Sequence, residues 1–562
     1  MKKNLLTVLA AVALTSAVAQ TAFLQKTCYR GAFAPAPTAM WTNGWTEWDP
    51  QNKVYPANTM TVSANITANT TWATGQTVLL QGPIYVTSGA ILTIQPGVVV
   101  KGSAQVAGSG LFITTGSKLM AVGNASNPIV FTSDAAPGSR APGDWGGVIL
   151  MGLANNNNPG GINNIEGITP SSLTQYGGGT TPNDNDNSGD LEYVRIEFGG
   201  YVYAANKEIN GLTFGAVGRG TIIDNIQCSF VNDDAFEWFG GTVNCKHLVA
   251  YRCVDDDFDT DNGFSGSVQF ALGVRDPNLA DPTYAAPSGA STSEAFESDN
   301  DATSTTNAPL TSAIFSNITD IGPLRGVLTA TTHPGFRRGA RIRRNSNLKI
   351  VNSILMDHKT RAVFIDGAQC EANAQAGTLI FQNNILAGYG QRATESGTFN
   401  VINTNTFVAA NYNDTLLSSA NILTNPYGTN FLNADYRPST NSIALTGASF
   451  TTAAIAAATA ASSVNCITSI HEAKNVIGNV SLYPNPTSDA AVLKIETQNA
   501  MVLTVVVSDI TGKIVAVPVQ NQNLNGGENT VTIDTKELNN GIYFVTLNTI
   551  NGKETVKLVV SK

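Results

Sequence analysis

The stretch Thr221–Gly266 decides how the chain is read. It runs TIIDNIQCSFVNDDAFEWFGGTVNCKHLVAYRCVDDDFDTDNGFSG and nearly repeats itself. Val231–Asp234 (VNDD) returns as Val254–Asp257 (VDDD), and Asp256 follows Asp233 by 23 positions. A repeat of this length, made of short apolar runs and turns, is typical of one coil of a parallel β-helix, in which each coil stacks on the next.

Side chains along this stretch alternate as they do on a strand. Ile226, Cys228 and Phe230 point to one face, and the polar residues between them point to the other. The same alternation marks Ala90–Lys101, which contains a Pro-Gly turn. The predicted fold class is therefore all-β, a parallel β-helix solenoid.

Stacked coils bring acidic residues together. We expect Asp233 and Asp234 to lie beside Asp256 and Asp257. Like charges that close repel each other, so these carboxyl groups must be protonated, bound to a metal or well solvated. The chemistry of the protein is predicted near this stack.

Composition and the first residues limit the partners and the location. The chain has 562 residues, a formal net charge of −9 and 13% charged residues, and it lacks the basic stripe that a nucleic-acid partner requires. Residues 1–19 have the pattern of a secretory signal peptide: Lys2-Lys3, an apolar run from Leu5 to Leu14, and Ala17-Val18-Ala19. No later stretch is predicted to span a membrane, so the mature chain is expected to be exported without a transmembrane segment.

The rest of the chain divides into four predicted parts. Residues 20–59 carry Trp41, Trp45 and Trp48 and are interpreted as an aromatic-rich cap over the open end of the β-helix, with stacking on a sugar as the alternative. The other parts are the β-helix at 60–450 with long insertions near 154–190 and 276–310, a linker at 451–475, and a separate β-sandwich domain at 476–562.

The six cysteines have irregular spacing without a C-x-x-C pair, which argues against zinc. Cys228, Cys245 and Cys253 fall within one or two coils. They either fill the core or form a disulfide, and buried free cysteine is common.

The early coils resemble a known family. The residues GAILTIQPGVVVKG (89–102) and GSKLMAVGNASNPIVFTS (116–133) are similar to the opening coils of secreted right-handed β-helix proteins of the pectate-lyase-like superfamily. The resemblance implies a right-handed β-helix.

The C-terminal module resembles the type A C-terminal sorting domain of the Bacteroidetes type IX secretion system. The residues that carry the resemblance are SLYPNPTS (481–488), LNNGIYFV (538–545) and KLVVSK (557–562). It implies handling by the type IX secretion machinery, followed by release or by anchoring to cell-surface lipopolysaccharide.

The first insertion contains a candidate calcium loop. Asp184, Asp186 and Asp190 offer oxygen ligands at alternate positions around Gly189, as the first half of a calcium-binding loop does. The twelfth position holds Arg195 instead of glutamate. The alternative is a solvated polar turn.

A second calcium site is predicted in the coil stack. On an extended strand Asp257, Asp259 and Asp261 share one face, and a calcium ion accepts six to eight such oxygens. The arginine-rich stretch Arg337–Arg344 is the alternative source of positive charge.

Two classes of function remain open. The first is a non-enzymatic surface protein that binds an extracellular glycan, adheres or builds a surface layer. The second is a polysaccharide lyase or glycoside hydrolase, since hydrolysis needs two carboxyl groups. The candidate catalytic residues are Asp233, Asp234, Glu237, Asp256 and Asp257, and the candidate ligand-binding residues are Trp238, Arg337 and Arg338.

The pair Asp233-Asp234 resembles the paired aspartates of β-helix polygalacturonases, although the Gly-His-Gly and Arg-Ile-Lys motifs of those enzymes are absent. The absence puts hydrolase chemistry in doubt. Peptidase motifs are absent as well.

Overall fold

The computed structural model describes residues 22–204, 207–285, 292–389, 394–395, 408, 410–461, 477–497, 501–510, 514–549 and 552–562. The predicted signal peptide (1–19) and residues 462–475 of the predicted linker lie outside these residues. The chain forms two compact units, Met1–Val464 and Asn465–Lys562. The described helices are all too short or too polar to cross a bilayer.

Short strands alternate with turns through the first unit. In chain order they are β1 (Met60–Val62), β2 (Thr70–Trp72), β3 (Thr77–Leu80), β4 (Pro83–Val86), β5 (Ile91–Ile94), β6 (Val99–Gly102), β7 (Gly110–Ile113), β8 (Lys118–Val122), β9 (Ile129–Ser133), β10 (Val148–Met151), β11 (Asn163–Asn164), β12 (Gln175–Tyr176), β13 (Gly189–Glu197), β14 (Val202–Ala204), β15 (Lys207–Glu208), β16 (Leu212–Gly215), β17 (Ile222–Ser229), β18 (Phe236–Phe239), β19 (Asn244–Tyr251), β20 (Phe258–Asp261), β21 (Ser267–Val274), β22 (Phe296–Ser298), β23 (Ile314–Ile321), β24 (Arg338–Ile342), β25 (Lys349–Val351), β26 (Ile354–Met356), β27 (Arg361–Ile365), β28 (Ile380–Gln382), β29 (Ile385–Ala387), β30 (Thr394–Glu395), β31 (Asp414–Leu416), β32 (Leu423–Asn425) and β33 (Asp435–Pro438). The described α-helices are α1 (Ala368–Ala376) and α2 (Ala453–Ala457), and short 3₁₀ turns lie at Pro159–Gly161, Pro282–Ala285 and Ile443–Leu445.

Two large parallel sheets build the coils. One joins β4, β7, β10, β16, β18, β20, β22, β24, β27 and β30, and the other contains the long strands β13, β17, β19, β21 and β23. β17 pairs with β19 at an offset of 22 residues (Ile222 to Asn244), and β19 pairs with β21 at 23 residues (Cys245 to Val268). The predicted parallel β-helix is confirmed.

The long strands bend at one residue each. Tyr193, Asn225, His247 and Phe270 have φ of 52°, 57°, 52° and 60°, and the matched pairs on both sides keep these four positions in register. One left-handed residue redirects the chain, so the strand continues on the next face of the coil.

Apolar rings stack inside the coils. Trp238 lies between Phe214 and Phe264, with ring centroids 5.3 Å away on each side. Cys228, Cys245 and Cys253 are free and buried, which confirms the interpretation that they fill the core. Cys28 is disulfide-bonded.

Residues 22–59, here called the N-terminal strap, lie along the side of the coils and not over their open end. Trp45 packs edge-on against Tyr193 at 6.0 Å, and Trp48 packs against Tyr251 at 5.0 Å. The predicted cap is therefore wrong in its location. The tryptophans bury their rings against side chains that project from the coils, which a sequence pattern cannot place.

The end of the first unit also differs from the prediction. Ile455 and Ala458 pack against Leu24 and the outward-facing Ile314 and Val351. Residues 451–460 therefore belong to the β-helix unit, because their apolar side chains are buried on it.

The second unit contains β34 (Ile477–Tyr483), β35 (Ala490–Thr497), β36 (Met501–Asp509), β37 (Ile514–Leu524), β38 (Gly527–Asp534), β39 (Gly541–Thr549) and β40 (Gly552–Val560). These strands form two antiparallel sheets, β34-β35-β38 and β37-β36-β39-β40. Leu493, Val505 and Val545 are among the buried residues of its core. It is a small β domain, as the alternation predicts.

Candidate functional site

A column of charged side chains runs across four coils. Strand register places Glu237 beside Asp259, Asp259 beside Glu297, and Glu297 beside Arg341. Adjacent strands are about 4.8 Å apart, so these side chains are close neighbours. Glu237 points out of the coil because Phe236 and Trp238 on either side point into the core.

A second row of carboxyl groups lies in the turns before these strands. The coil offset here is 22 residues, as the pair Phe236 and Phe258 shows. Asp256 N donates to Asp234 Oδ1 at 2.9 Å, and Glu294 N donates to Asp256 Oδ1 at 2.5 Å. The predicted neighbours were shifted by one residue: Asp256 lies beside Asp234, because the turn between the coils is one residue shorter than the sequence repeat suggests.

These two rows form the floor of one cavity of about 860 Å³, called here the acidic groove. The two insertions contribute Glu166 and Asp281–Thr283 to its lining. The lining residues are Glu166, Val202, Glu208, Asn232, Asp233, Asp234, Glu237, Asp255, Asp256, Asp259, Asp281, Pro282, Thr283, Glu297, Arg341, Arg343 and Arg344. Ten of these are carboxylates and three are arginines, so the groove is strongly acidic.

The carboxylates converge in three overlapping triads. Within each triad one oxygen per residue lies within 4.8 Å of the other two. The triads are Asp233, Asp234 and Asp255; Asp234, Glu237 and Asp259; and Asp256, Asp259 and Glu297. Asp234 and Asp259 are shared between neighbouring triads, so the oxygens form a continuous path along the groove.

The environment favours protonated carboxyl groups in the absence of a cation. Burial, followed by the negative charge of Asp259, raises the pKa of Glu237 well above its ordinary value. Burial, followed by the negative charge of Glu297, also raises the pKa of Asp259 well above its ordinary value. Burial raises the pKa of Glu297 to about 7 even though Arg343 opposes the shift, and burial raises the pKa of Asp261 to about 8. A positive charge in this groove would oppose these shifts, because it favours the ionised carboxylates.

The arginines of the groove are already engaged. Arg343 Nε donates to Asp299 Oδ1 at 2.7 Å and Arg343 also pairs with Glu297. Arg344 pairs with Asp299 at 2.7 Å, and Arg341 pairs with Asp366 at 3.1 Å. These contacts compensate Glu297 at one end of the floor, whereas among the described residues no ion pair reaches Asp234, Glu237, Asp256 or Asp259.

Arg337 and Arg338, the predicted ligand-binding arginines, do not line the groove. Arg338 Nη1 pairs with buried Glu294 at 3.0 Å, and its guanidinium lies 4.5 Å from the ring centroid of Phe364. Successive side chains of β24 point to opposite faces, so Arg341 and not Arg338 reaches the carboxylate column.

Asp257 points into the coil and away from the acidic groove. It is 0% exposed, and Arg275 Nε lies 2.8 Å from Asp257 Oδ2. The predicted shared face of Asp257, Asp259 and Asp261 is therefore wrong, because the chain turns before β20. Asp257 is also misplaced as a candidate catalytic residue.

Trp238 is fully buried in the aromatic core and cannot stack on a sugar. Its neighbour Glu237 faces the groove in its place. The ligand-binding prediction for Trp238 is wrong because the strand alternation assigns it to the interior.

The predicted calcium loop lies outside the acidic groove. Asp184 Oδ1 accepts from Asn155 N at 3.0 Å, and Asp186 Oδ2 accepts from Ser188 Oγ at 3.2 Å. Within the described residues no triad of metal-ligating groups includes Asp184, Asp186 or Asp190. Calcium binding by this loop stays a prediction.

Glu297 and Asp255 belong to the site and were not predicted as site residues. The signal for Glu297 is the short repeat Phe236-Glu237, Phe258-Asp259, Phe296-Glu297, which identifies Glu297 as a coil position inside the stretch interpreted as an insertion.

Two protein families match this chain. A pectate-lyase-like β-helix domain matches residues 64–425, and a secretion system C-terminal sorting domain matches residues 481–561. No curated protein matches the chain.

One solved structure with some likeness is full-length tailspike protein 2 of Escherichia coli O157:H7 bacteriophage CAB120. It is 11% identical over 86% of this chain, with a TM-score of 0.21. The match spans 64% of the tailspike chain. This TM-score is too low to indicate a shared fold.

The β-helix match covers more than half of the chain, and the sorting domain covers the second unit. A sorting domain of this kind is handled by the type IX secretion machinery and directs its cargo to the cell surface or beyond. The chain therefore belongs to the pectate-lyase-like β-helix domain family and is a type IX secretion cargo.

Proposed function

We propose that this exported β-helix protein binds calcium in the acidic groove and, through the bound cations, an anionic extracellular glycan, without cleaving it. The observation that carries the proposal is the run of three overlapping carboxylate triads on the groove floor. Calcium accepts six to eight oxygen ligands in variable geometry, and carboxylates are its preferred protein ligands.

The groove also satisfies a test of fit. Asp259 Oδ1 is buried and accepts no hydrogen bond from the described residues, although buried polar atoms are normally paired. The described lining residues contain no histidine or cysteine, and such a set of hard oxygen donors suits calcium better than zinc or copper. Asp234, Glu237, Asp256, Asp259 and Glu297 are the residues that would hold the ion.

The charge of the groove supports an anionic partner only when a cation is present. Its arginines are paired with carboxylates, so the floor by itself repels a polyanion. The described lining contains no aromatic ring on which a neutral sugar could stack. Bound calcium would reverse the local charge and supply the contact to a glycan carboxylate.

Glycoside hydrolysis is the second candidate. The raised pKa of Glu297, about 7 through burial, would let a carboxyl group act as a general acid near neutral pH. However, the carboxyl oxygens converge in sets of three within 4.8 Å of one another, whereas hydrolysis needs one pair of carboxyl groups flanking the sugar bond. Convergence of three oxygens favours cation binding.

The test is isothermal titration of the full chain with calcium chloride, followed by binding of polygalacturonate in calcium and in chelator. We expect saturable calcium binding that the double variant Asp234→Asn, Asp259→Asn loses. Asp435→Asn is the matched control, since Asp435 lies on β33 and pairs with Arg437 at 2.6 Å outside the groove.

The outcomes separate the two parts of the proposal. If the titration shows no saturable heat of calcium binding, the proposed cation site is contradicted. Calcium binding without retention of polygalacturonate contradicts the glycan and leaves the cation site standing. Release of reducing sugar from the glycan would favour the hydrolase.

A further inference from the structure

The N-terminal strap contacts coils that are far apart in the sequence. Leu24 N donates to Ala458 O at 2.8 Å, close to the end of the first unit. Thr59 N donates to Thr77 O at 2.8 Å, in the first coils. Between them the strap turns back near Arg30, so residues 31–59 run from the late coils to the early coils.

Two buried glutamines hold the backbone of the strap. Gln227 Oε1 accepts from Glu47 N at 2.9 Å, and Gln227 Nε2 donates to Glu47 O at 2.8 Å. Gln269 makes the same two bonds to Gln25, both at 2.7 Å. Each side-chain amide accepts from the backbone N–H and donates to the backbone C=O of one strap residue, so these bonds need the strap backbone and not its side chains.

Arg30 anchors the turn of the strap to the last coils. It is 4% exposed, and its Nη1 lies 2.6 Å from Asp414 Oδ2 on β31. Its Nε donates to Thr446 O at 2.9 Å and its Nη2 to Ile443 O at 2.8 Å. These partners lie 384 to 416 positions further along the chain.

The coils themselves do not depend on the strap for strand pairing. Among the described residues every strand of the two large sheets pairs with a strand from residues 60–416. The strap adds one isolated bridge, Leu24 to Thr459. The strand pairing of the coil stack is therefore made without the strap.

We infer that the first part of the strap is a late closure: the coils stack first, and residues 22–33 dock onto them only after Asp414 and Ile443–Thr446 are in place. The strap is the first part of the described chain to be made and contacts the last coils of the unit. Contacts of such long sequence separation form slowly, because the intervening chain must be ordered or looped first.

Pulsed hydrogen exchange during refolding of the full chain from its reduced, unfolded state tests the order of docking, because Cys28 of the strap is disulfide-bonded in the folded chain. We expect the amides of Leu24 and Ala32 to gain protection after coil amides such as Phe198 and Phe230, which donate to Ser229 O and Tyr251 O. Protection of the strap amides together with the coil amides, or before them, overturns the inference.

A pair of variants tests the separability of the strap in the native state. Gln227→Leu with Gln269→Leu should raise exchange of amides in residues 22–59 at least tenfold and leave the coil amides unchanged. Gln95→Leu is the control, because Gln95 Oε1 accepts from Thr74 N at 3.1 Å, a contact between coil turns. Equal acceleration of the coil amides contradicts a separable strap, and if the double variant fails to fold, the refolding experiment on the unchanged chain decides.

Discussion

Asp257 and Asp259 are two positions apart and lie in opposite environments. Asp257 lies inside the coil beside Arg275, with Asp320 as a second carboxyl group nearby. Asp259 lies in the acidic groove between Glu237 and Glu297. The interior cluster has its own cation, whereas the acidic groove has only three arginines for ten carboxylates. The comparison teaches that a built-in counter-charge marks a structural cluster, and a shortage of it marks a place for a ligand.

The largest effect is expected from removing the interior cation. Arg275→Met leaves Asp257 and Asp320 buried without a positive partner. Loss of one partner of a buried ion pair costs about 3–5 kcal/mol, so the urea midpoint of the β-helix unit should fall steeply. Arg437→Met, which breaks an exposed pair, should leave the midpoint unchanged. Equal midpoints for both variants would mean that the interior cluster is not held by Arg275.

Calcium should stabilise the fold by binding in the acidic groove, and not by binding to the loop that contains Asp184 and Asp190. At a calcium concentration of about 100 times the dissociation constant, preferential binding to the folded state adds about 2.7 kcal/mol, measured as a rise in Tm over chelator. Asp234→Asn with Asp259→Asn should abolish this rise, and Asp184→Asn with Asp190→Asn should preserve it. The opposite pattern would assign calcium to the loop.

Without calcium, the buried carboxyl groups of Glu297 in the groove and Asp261 at the end of β20 should destabilise the fold as pH rises. The folded pKa values of Glu297, about 7, and Asp261, about 8, lie above their ordinary values because the groups are buried. Such groups contribute stability below their unfolded pKa, and this contribution is lost as pH rises through 7 to 8. We expect a loss on the order of 2 kcal/mol between pH 6 and pH 9, measured by urea unfolding in chelator. A flat profile would show that the groove carboxyl groups stay ionised.

The smallest effect is expected at Trp238. Trp238→Phe removes part of a buried ring and should cost about 1 kcal/mol through the cavity left behind. Calcium affinity and polygalacturonate binding should not change, since the side chain faces Phe214 and Phe264. Loss of polygalacturonate binding at an unchanged Tm would contradict the interior position of Trp238 and favour a position in the groove.

The repeat of Phe followed by an acidic residue shows how much of the fold and of the site the sequence predicts. Alternation around Phe236, Phe258 and the neighbouring positions predicts both the parallel coils and the outward direction of Glu237 and Asp259. It did not fix the register, because one residue more or less in a turn changes which aspartates meet. It also missed Glu297, since its coil is entered through a long insertion.

The sequence by itself determined the class of fold, the two-unit organisation and the secretion route, because each rests on local periodicity or on a contiguous motif. Only the tertiary structure decided which carboxylates face the groove, that Asp257 turns inward to Arg275, and that the tryptophans of the strap lie along the coils. These features depend on contacts between residues of different strands and segments, from Asp257 with Arg275 to Gln227 with Glu47 and Arg30 with Asp414. The physical reason is that burial and counter-charge belong to the assembled surface, and a linear pattern carries only the direction of each side chain within its own strand.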